Sequence, residues 1–196
     1  MTEKEVKLQL EYYMKKLGAE DVSFSAIVAF GANSSKPHHV SGDTVLKEKD
    51  IILLDFGCKV NGYCSDMTRT FFIGGITEKQ KQIYDIVLNV QLEAEKNAVK
   101  GINVKHLDNI VRNEFDKHNL TDKYLHSLGH GVGLDIHELP TLSYRADCNL
   151  ENNMVVTIEP GIYLENEFGI RIEDTIIIKN DKPEILFKSS KEIQII

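Results

Sequence analysis

The chain has no surplus of positive charge. Its 23 Lys and Arg face 30 Asp and Glu, a formal net charge of −7, which argues against a nucleic-acid binder. Cysteine is scarce. Cys58, Cys64 and Cys148 are odd in number and lack C-x-x-C spacing, so neither a disulfide framework nor a thiolate zinc site is expected, and reduced thiols in a cytoplasmic setting are. No apolar run approaches the ~20 residues of a membrane span. The opening "MTEKEVKLQL" is charged and periodic, without the apolar region of a signal peptide. Linkers, low-complexity tracts and charge blocks are also missing, so residues 1–196 read as one domain.

What is present alternates between helix and strand patterns. Thr2-Glu-Lys-Glu5 is a capping box, followed by Val6, Leu10, Met14 and Leu17 at helical spacing and by Gly18 as a stop. Residues 22–31 read as a strand. Residues 50–60 and 63–74 read as two strands joined by Asn61-Gly62, a strong hairpin signal. Thr77-Glu-Lys-Gln80 caps a long helix ending near Gly101, and a third helix is expected over 104–118. Residues 154–164 and 169–179 form another expected strand pair, and 183–188 a final strand.

A repeat runs through this order. "VLKEKDIILLDFG" (45–57) and "NLENNMVVTIEPG" (149–161) share a leucine, polar residues, an apolar run, an acid, one residue and a glycine, at an offset of 104. A second acid, Asp66 or Glu173, follows on each returning strand. The helix at 2–17 matches the one at 103–118. Two pseudo-two-fold halves of helix and β-hairpin would bring the four acids to one centre. The second half has an additional helix at 78–100 that the first half lacks, so a partner helix is expected to be missing.

Each acid has a plainer reading. Asp55 before a glycine could be a turn residue, Asp66 could pair with Arg69, Glu159 could be an exposed turn acid and Glu173 could pair with Arg171. The repeat favours a shared site. Four clustered carboxylates repel and lose hydration, and two divalent cations would balance them. With one histidine added, this oxygen-rich set suits Mn²⁺, Co²⁺ or Fe²⁺, and admits Zn²⁺.

"HSLGHGVGLDIHE" (126–138) supplies three histidines. His126 and His130 are four apart, as on a zincin helix, but Gly129, Gly131 and Gly133 argue against a regular helix. An extended segment passing close to ligand or metal is expected, with one histidine a ligand and others facing substrate. The pattern does not say which.

Together, "GANSSKPHH" (31–39), "LLDFGCKVNGYCSDMTRTF" (53–71), "HSLGHGVGLDIHE" with Pro140, "TIEPGIY" (157–163) and "GIRIEDT" (169–175) resemble the creatinase/methionine-aminopeptidase superfamily, the pita-bread metallopeptidases. "SDMTRTF" and "RIEDT" are most similar to its Xaa-Pro branch, prolidase and aminopeptidase P. The resemblance implies an α+β pita-bread fold, a mostly antiparallel sheet covered by helices. It implies two divalent ions held by Asp55, Asp66, His130, Glu159 and Glu173, with Asp66 and Glu173 bridging. It places His38 and His137 at the substrate, His137 steadying the tetrahedral intermediate, and His126 and Arg171 in the pocket. The implied reaction is hydrolysis of an Xaa-Pro peptide by a metal-activated hydroxide, with Glu159 moving the proton. A homodimer is compatible with the family. Members usually carry an N-terminal domain and a first catalytic-domain helix that this chain is expected to lack. An inactive pita-bread domain serving as a binding module, and a metal-free hydrolase like creatinase, are the rival readings.

Overall fold

A computed structural model describes residues 1–196. Its elements are α1 (Glu3–Lys16), β1 (Asp21–Val22), β2 (Ile27–Phe30), β3 (Ile51–Phe56), β4 (Cys58–Val60), β5 (Tyr63–Cys64), β6 (Met67–Phe72), α2 (Glu78–Asn97), α3 (Val104–Asp116), β7 (Gly129–Gly131), β8 (Glu138–Leu142), β9 (Val155–Ile158), β10 (Gly161–Leu164), β11 (Phe168–Arg171), β12 (Asp174–Ile177) and β13 (Glu184–Ile185). Both capping boxes form: Thr2 and Glu5 bond reciprocally at α1, Thr77 and Gln80 at α2. Asn61 and Gly62 both take positive φ, as a two-residue hairpin turn requires. No helix is long and apolar enough to cross a membrane.

The strand order shows the repeat. One sheet runs β2-β3-β6, all antiparallel. Another of the four sheets runs β13-β12-β9-β7-β8 and contains the same arrangement as β7-β9-β12. Each trio is preceded by its capped helix, α1 or α3. The trios meet where β6 approaches the link between β11 and β12: Glu173 N–H donates to Thr68 O at 3.2 Å, and Thr70 Oγ1 to Arg171 O at 2.9 Å.

The expected long strands are broken, and the breaks matter. Residues 50–60 change sheets at Gly57, so that β3 joins β2 and β6 while β4 joins β1 and β5. A Cβ on Gly57 would lie 1.8 Å from Ser65 O, so only glycine lets the two backbones touch. The segment 22–31 is interrupted for the same reason, Ser23 N–H donating to Gly57 O while β2 starts only at Ile27. In the second half the change falls at Pro160-Gly161, between β9 and β10. Of the expected final strand only Glu184–Ile185 pairs. The chain's end does more: Ile195 bridges Phe72 in parallel along β6.

The core is lopsided. A cluster of 25 buried apolar residues lies mostly in the second half, where Val104, Leu107, Val111 and Phe115 of α3 and Tyr84 and Val87 of α2 meet β9 to β12, and takes in Ile51 and Phe72 of the first. The first half has a cluster of three, Val28, Phe30 and Ile52. On α1, Val6, Leu10 and Met14 are half-buried, but Leu17, expected to face inward, is 87% exposed as the helix's C-cap. α2 ends at Asn97 rather than near Gly101, and α3 at Asp116.

Candidate metal and active centre

The sheet changes bring the acids together. Asp55 lies two residues before Gly57 and Glu159 two before Gly161. Asp66 and Glu173 immediately precede β6 and β12. One carboxylate oxygen each from Asp55, Asp66 and Glu173 lie within 4.8 Å of one another, and all three residues are buried. His130, central in β7, places Nε2 3.5 Å from both Asp66 Oδ2 and Glu159 Oε1. The five predicted ligands therefore face one cleft of about 540 Å³, which His38, His126, His137 and Arg171 also line.

Neighbouring side chains orient them. Thr68 Oγ1 donates to Glu173 Oε2 at 2.6 Å, and Thr157 Oγ1 to Glu159 Oε1 at 3.2 Å while accepting from His130 N. His130 Nδ1 lies 3.0 Å from Gly131 O. A carbonyl only accepts, so Nδ1 carries a proton; in the neutral ring Nε2 then faces the carboxylates with its lone pair, the tautomer a metal ligand needs. Asp55 Oδ1 and Asp66 Oδ1 are buried and accept no hydrogen bond. Orphaned carboxylate oxygens beside an imidazole lone pair fit a divalent cation in chemistry and charge.

The electrostatics carry the same tension. Burial pushes Asp55 up to about 6, with Arg171 opposing and the Asp66 charge adding to the rise. Burial pushes Glu159 up to about 7, against Arg171 and His130 and with Asp66 and Asp55. Glu173 is driven well above the usual carboxylate range by burial and then by the other three acids. Burial alone would lower His130, but Asp66 and Glu159 reverse that and hold it raised.

Both ion pairs weighed from the sequence are different here. Arg69 pairs with Asp174 at 2.6 Å, not with Asp66. Three positions apart on a strand, Asp66 and Arg69 point to opposite faces. Arg171 pairs with Asp55 at 2.5 Å, not with Glu173, because the strand breaks between them. The glycines of the histidine segment also have another cause. The segment is extended, as expected, yet Cβ atoms on Gly129 and Gly131 would strike Thr157 O and Leu139 O at 2.0 and 2.5 Å. They admit neighbouring strands rather than a ligand.

The remaining histidines differ in how free they are. His126 Nδ1 lies 2.8 Å from Ser127 O and its Nε2 2.8 Å from the Tyr163 hydroxyl, so both nitrogens are engaged. Burial, with Arg171 nearby, pushes it down to about 3 and keeps it neutral. His38 and His137 are exposed, and the His137 ring stands 4.3 Å from that of His130. Tyr163, Thr68 and Thr157 were missed from the sequence. Thr68 and Thr157 are each two residues from a predicted ligand, Asp66 and Glu159, and that spacing was the available signal; Tyr163 offered none.

Comparison with known proteins agrees with this geometry. The profile of metallopeptidase family M24 matches residues 1–180. The chain belongs to that family. It is 43% identical over 191 residues to the Xaa-Pro dipeptidase of Pyrococcus furiosus, covering 97% of this chain and 55% of that one. The crystal structure of X-Pro aminopeptidase from Thermotoga maritima superposes with a TM-score of 0.98 at 43% identity, over 100% of this chain and 56% of that one. The Xaa-Pro dipeptidase from Bacillus anthracis gives 0.98 at 42%, over 100% and 55%. The fold is thus the α+β pita-bread fold of the M24 structures. The chain spans about half the length of the relatives it matches.

Proposed function

We propose that the chain is the catalytic unit of an Xaa-Pro metallopeptidase. In this reading Asp55, Asp66, His130, Glu159 and Glu173 hold two divalent cations, Mn²⁺ or Co²⁺ first, with Fe²⁺ and Zn²⁺ as alternatives. The observation that carries it is the meeting of three buried carboxylates, two with orphaned oxygens, beside a correctly protonated imidazole. The names of the relatives supply the substrate class.

Bound cations would supply Lewis acidity, lowering the pKa of water and polarising a carbonyl. The chain's own groups do the rest. His137, exposed at the cleft, donates a hydrogen bond to the oxygen that gains charge. Glu159, whose carboxyl lines the cleft, is placed to take a proton and return it to the leaving nitrogen. The bond before proline is a tertiary amide without N–H, so recognition falls on shape and on the carbonyls. Phe24, Ile27, Ile136 and Leu139 give the cleft its apolar wall, and His38 stands at its edge as a polar contact. His126 and Arg171, with their polar atoms engaged inside the protein, bound the cleft by shape.

The binding-module reading is less favoured, because all five ligand types are in place. A homodimer and a cytoplasmic setting complete the proposal. The three unpaired cysteines suit a reducing compartment, and light scattering would read the oligomer. The decisive assay is release of proline from Xaa-Pro dipeptides, and of the first residue from Xaa-Pro tripeptides, with Mn²⁺ or Co²⁺ and with chelator. Cleavage that is equal in chelator would refute the metal-dependent reading.

A further inference from the structure

The C-terminal segment is tied to the back of the centre. Phe72 N–H donates to Gln194 O and Ile196 N–H to Phe72 O, so residues 194–196 run along β6. Upstream of them, Lys191 enters the protein with a side chain 16% exposed. Its ammonium donates to Glu95 Oε2 at 2.8 Å and to Gln91 Oε1 at 3.0 Å, and forms an ion pair with Asp174 Oδ2 at 2.9 Å, outside hydrogen-bond geometry. Asp174 is next to Glu173 and its other oxygen takes Arg69. Arg69 donates to Glu173 O at 2.5 Å, to Thr68 O at 2.9 Å, and to Ser189 O and Ser190 O at 3.1 and 3.2 Å.

One guanidinium thus grips both strand starts from which the Asp66 and Glu173 carboxylates project. Asp66 precedes Met67 and Thr68 on β6, and Glu173 precedes Asp174 on β12. The grip lies on the face of the strands away from the cleft. Asp174 and the two serine carbonyls hold the rest of the guanidinium in that position. Lys191 fixes Asp174 and carries the serines with it. Arg69, Asp174, Lys191 and Glu95 alternate in sign, which makes a buried network of zero net charge. None of these groups touches the cleft.

We infer that Lys191 is a positioning residue for the dinuclear centre, acting through Asp174 and Arg69 to set the spacing of Asp66 and Glu173. The inference rests on the metal-site reading above and assigns the chain's last residues a part in metal affinity. Outer hydrogen-bond partners of metal ligands commonly govern affinity by about 10- to 100-fold.

Removing Lys191 alone would strand Glu95 as a buried carboxylate, so the test variant is Lys191→Met with Glu95→Gln. Metal-depleted protein is titrated with Mn²⁺ by calorimetry, and electron paramagnetic resonance follows the signal of two coupled ions. Circular dichroism and the metal-free melting temperature check the fold. The expected result is about 10-fold weaker Mn²⁺ binding or more, with loss of the coupled signal, in a folded protein. Lys191→Arg, which keeps the charge, should retain most of the affinity. Where the double variant does not fold, Lys191→Gln with Glu95→Gln carries the same comparison. A wild-type chain that binds two ions beside a folded variant that binds them equally would overturn this inference alone. A folded Lys191→Arg as weak as the double variant would also overturn it. A wild-type chain that takes up no Mn²⁺ would overturn the metal-site reading and this inference with it.

Discussion

Glu159→Gln separates the cost of the centre from its use. Burial raises the Glu159 carboxyl from its ordinary 4.5 to about 7. The folded state therefore binds a proton more tightly than the unfolded state does. An acid raised in this way leaves stability untouched below about pH 4.5, and lowers it progressively until pH passes 7. At about 1.4 kcal/mol per pH unit, the ionised side chain destabilises the metal-free fold by about 3 kcal/mol above pH 7. Glutamine has the same shape and no charge. In chelator, Glu159→Gln should be more stable than wild type by about that amount at pH 8, and by almost nothing at pH 4.5. Using the difference between the two proteins removes the background of His126. That residue has the opposite sign, because its depression to about 3 favours the fold as pH rises toward 6.5. Urea unfolding at several pH values, with and without Mn²⁺, reads the effect. Added Mn²⁺ should reverse the order at pH 8, since only wild type offers the fourth carboxylate. A metal-free Glu159→Gln that is no more stable than wild type at pH 8 would refute the reasoning.

Other changes test the frame around the centre. Asp66→Asn keeps the shape but removes one carboxylate charge from the proposed cation site, and elemental analysis should find at most one tightly held ion per chain. Gly57→Ala must place a methyl 1.8 Å from a backbone oxygen that cannot rotate away. It should cost about 3 kcal/mol or more, and a urea midpoint near wild type would contradict the sheet change at that residue. Phe115→Ala empties part of the large cluster on α3. It should cost about 3–5 kcal/mol and leave Mn²⁺ stoichiometry unchanged in the folded fraction.

The parts readable from sequence were those encoded locally or twice. Both capping boxes and the Asn61-Gly62 turn are short-range chemistry, and they form as read. The acid-x-Gly repeat carried the convergence of Asp55 with Glu159, because a pattern that recurs at a fixed offset constrains tertiary structure. The partners of Arg69 and Arg171 were not readable. Choosing them requires knowing where β6 meets the link between β11 and β12, a contact more than 100 residues apart in sequence. The role of Gly57 was half-visible. A glycine after an acid reads as a turn, but Gly57 meets Ser65 O, which lies in the link between β5 and β6. The end of the chain gave no signal, since its value lies in one lysine reaching Asp174.

The two halves divide the work unequally, and the centre explains why. Four carboxylates and an imidazole in one cleft make the metal-free site a source of instability, as the raised Asp55, Glu159 and Glu173 show. The large apolar cluster is built mostly from the half that carries Glu159 and Glu173, while the separate cluster of the half that carries Asp55 has three buried residues. Arg171 compensates there: it is buried, belongs to the second half, and reaches across to Asp55 at 2.5 Å. The better-packed half thus lends a cation to the thinner one. The carboxylates stay gathered through that pair, through the hydroxyls of Thr68 and Thr157 and through the Arg69 grip behind them. A site held in place before any ion arrives gives up little ordering entropy on binding, which is the physical return on keeping so much negative charge out of water.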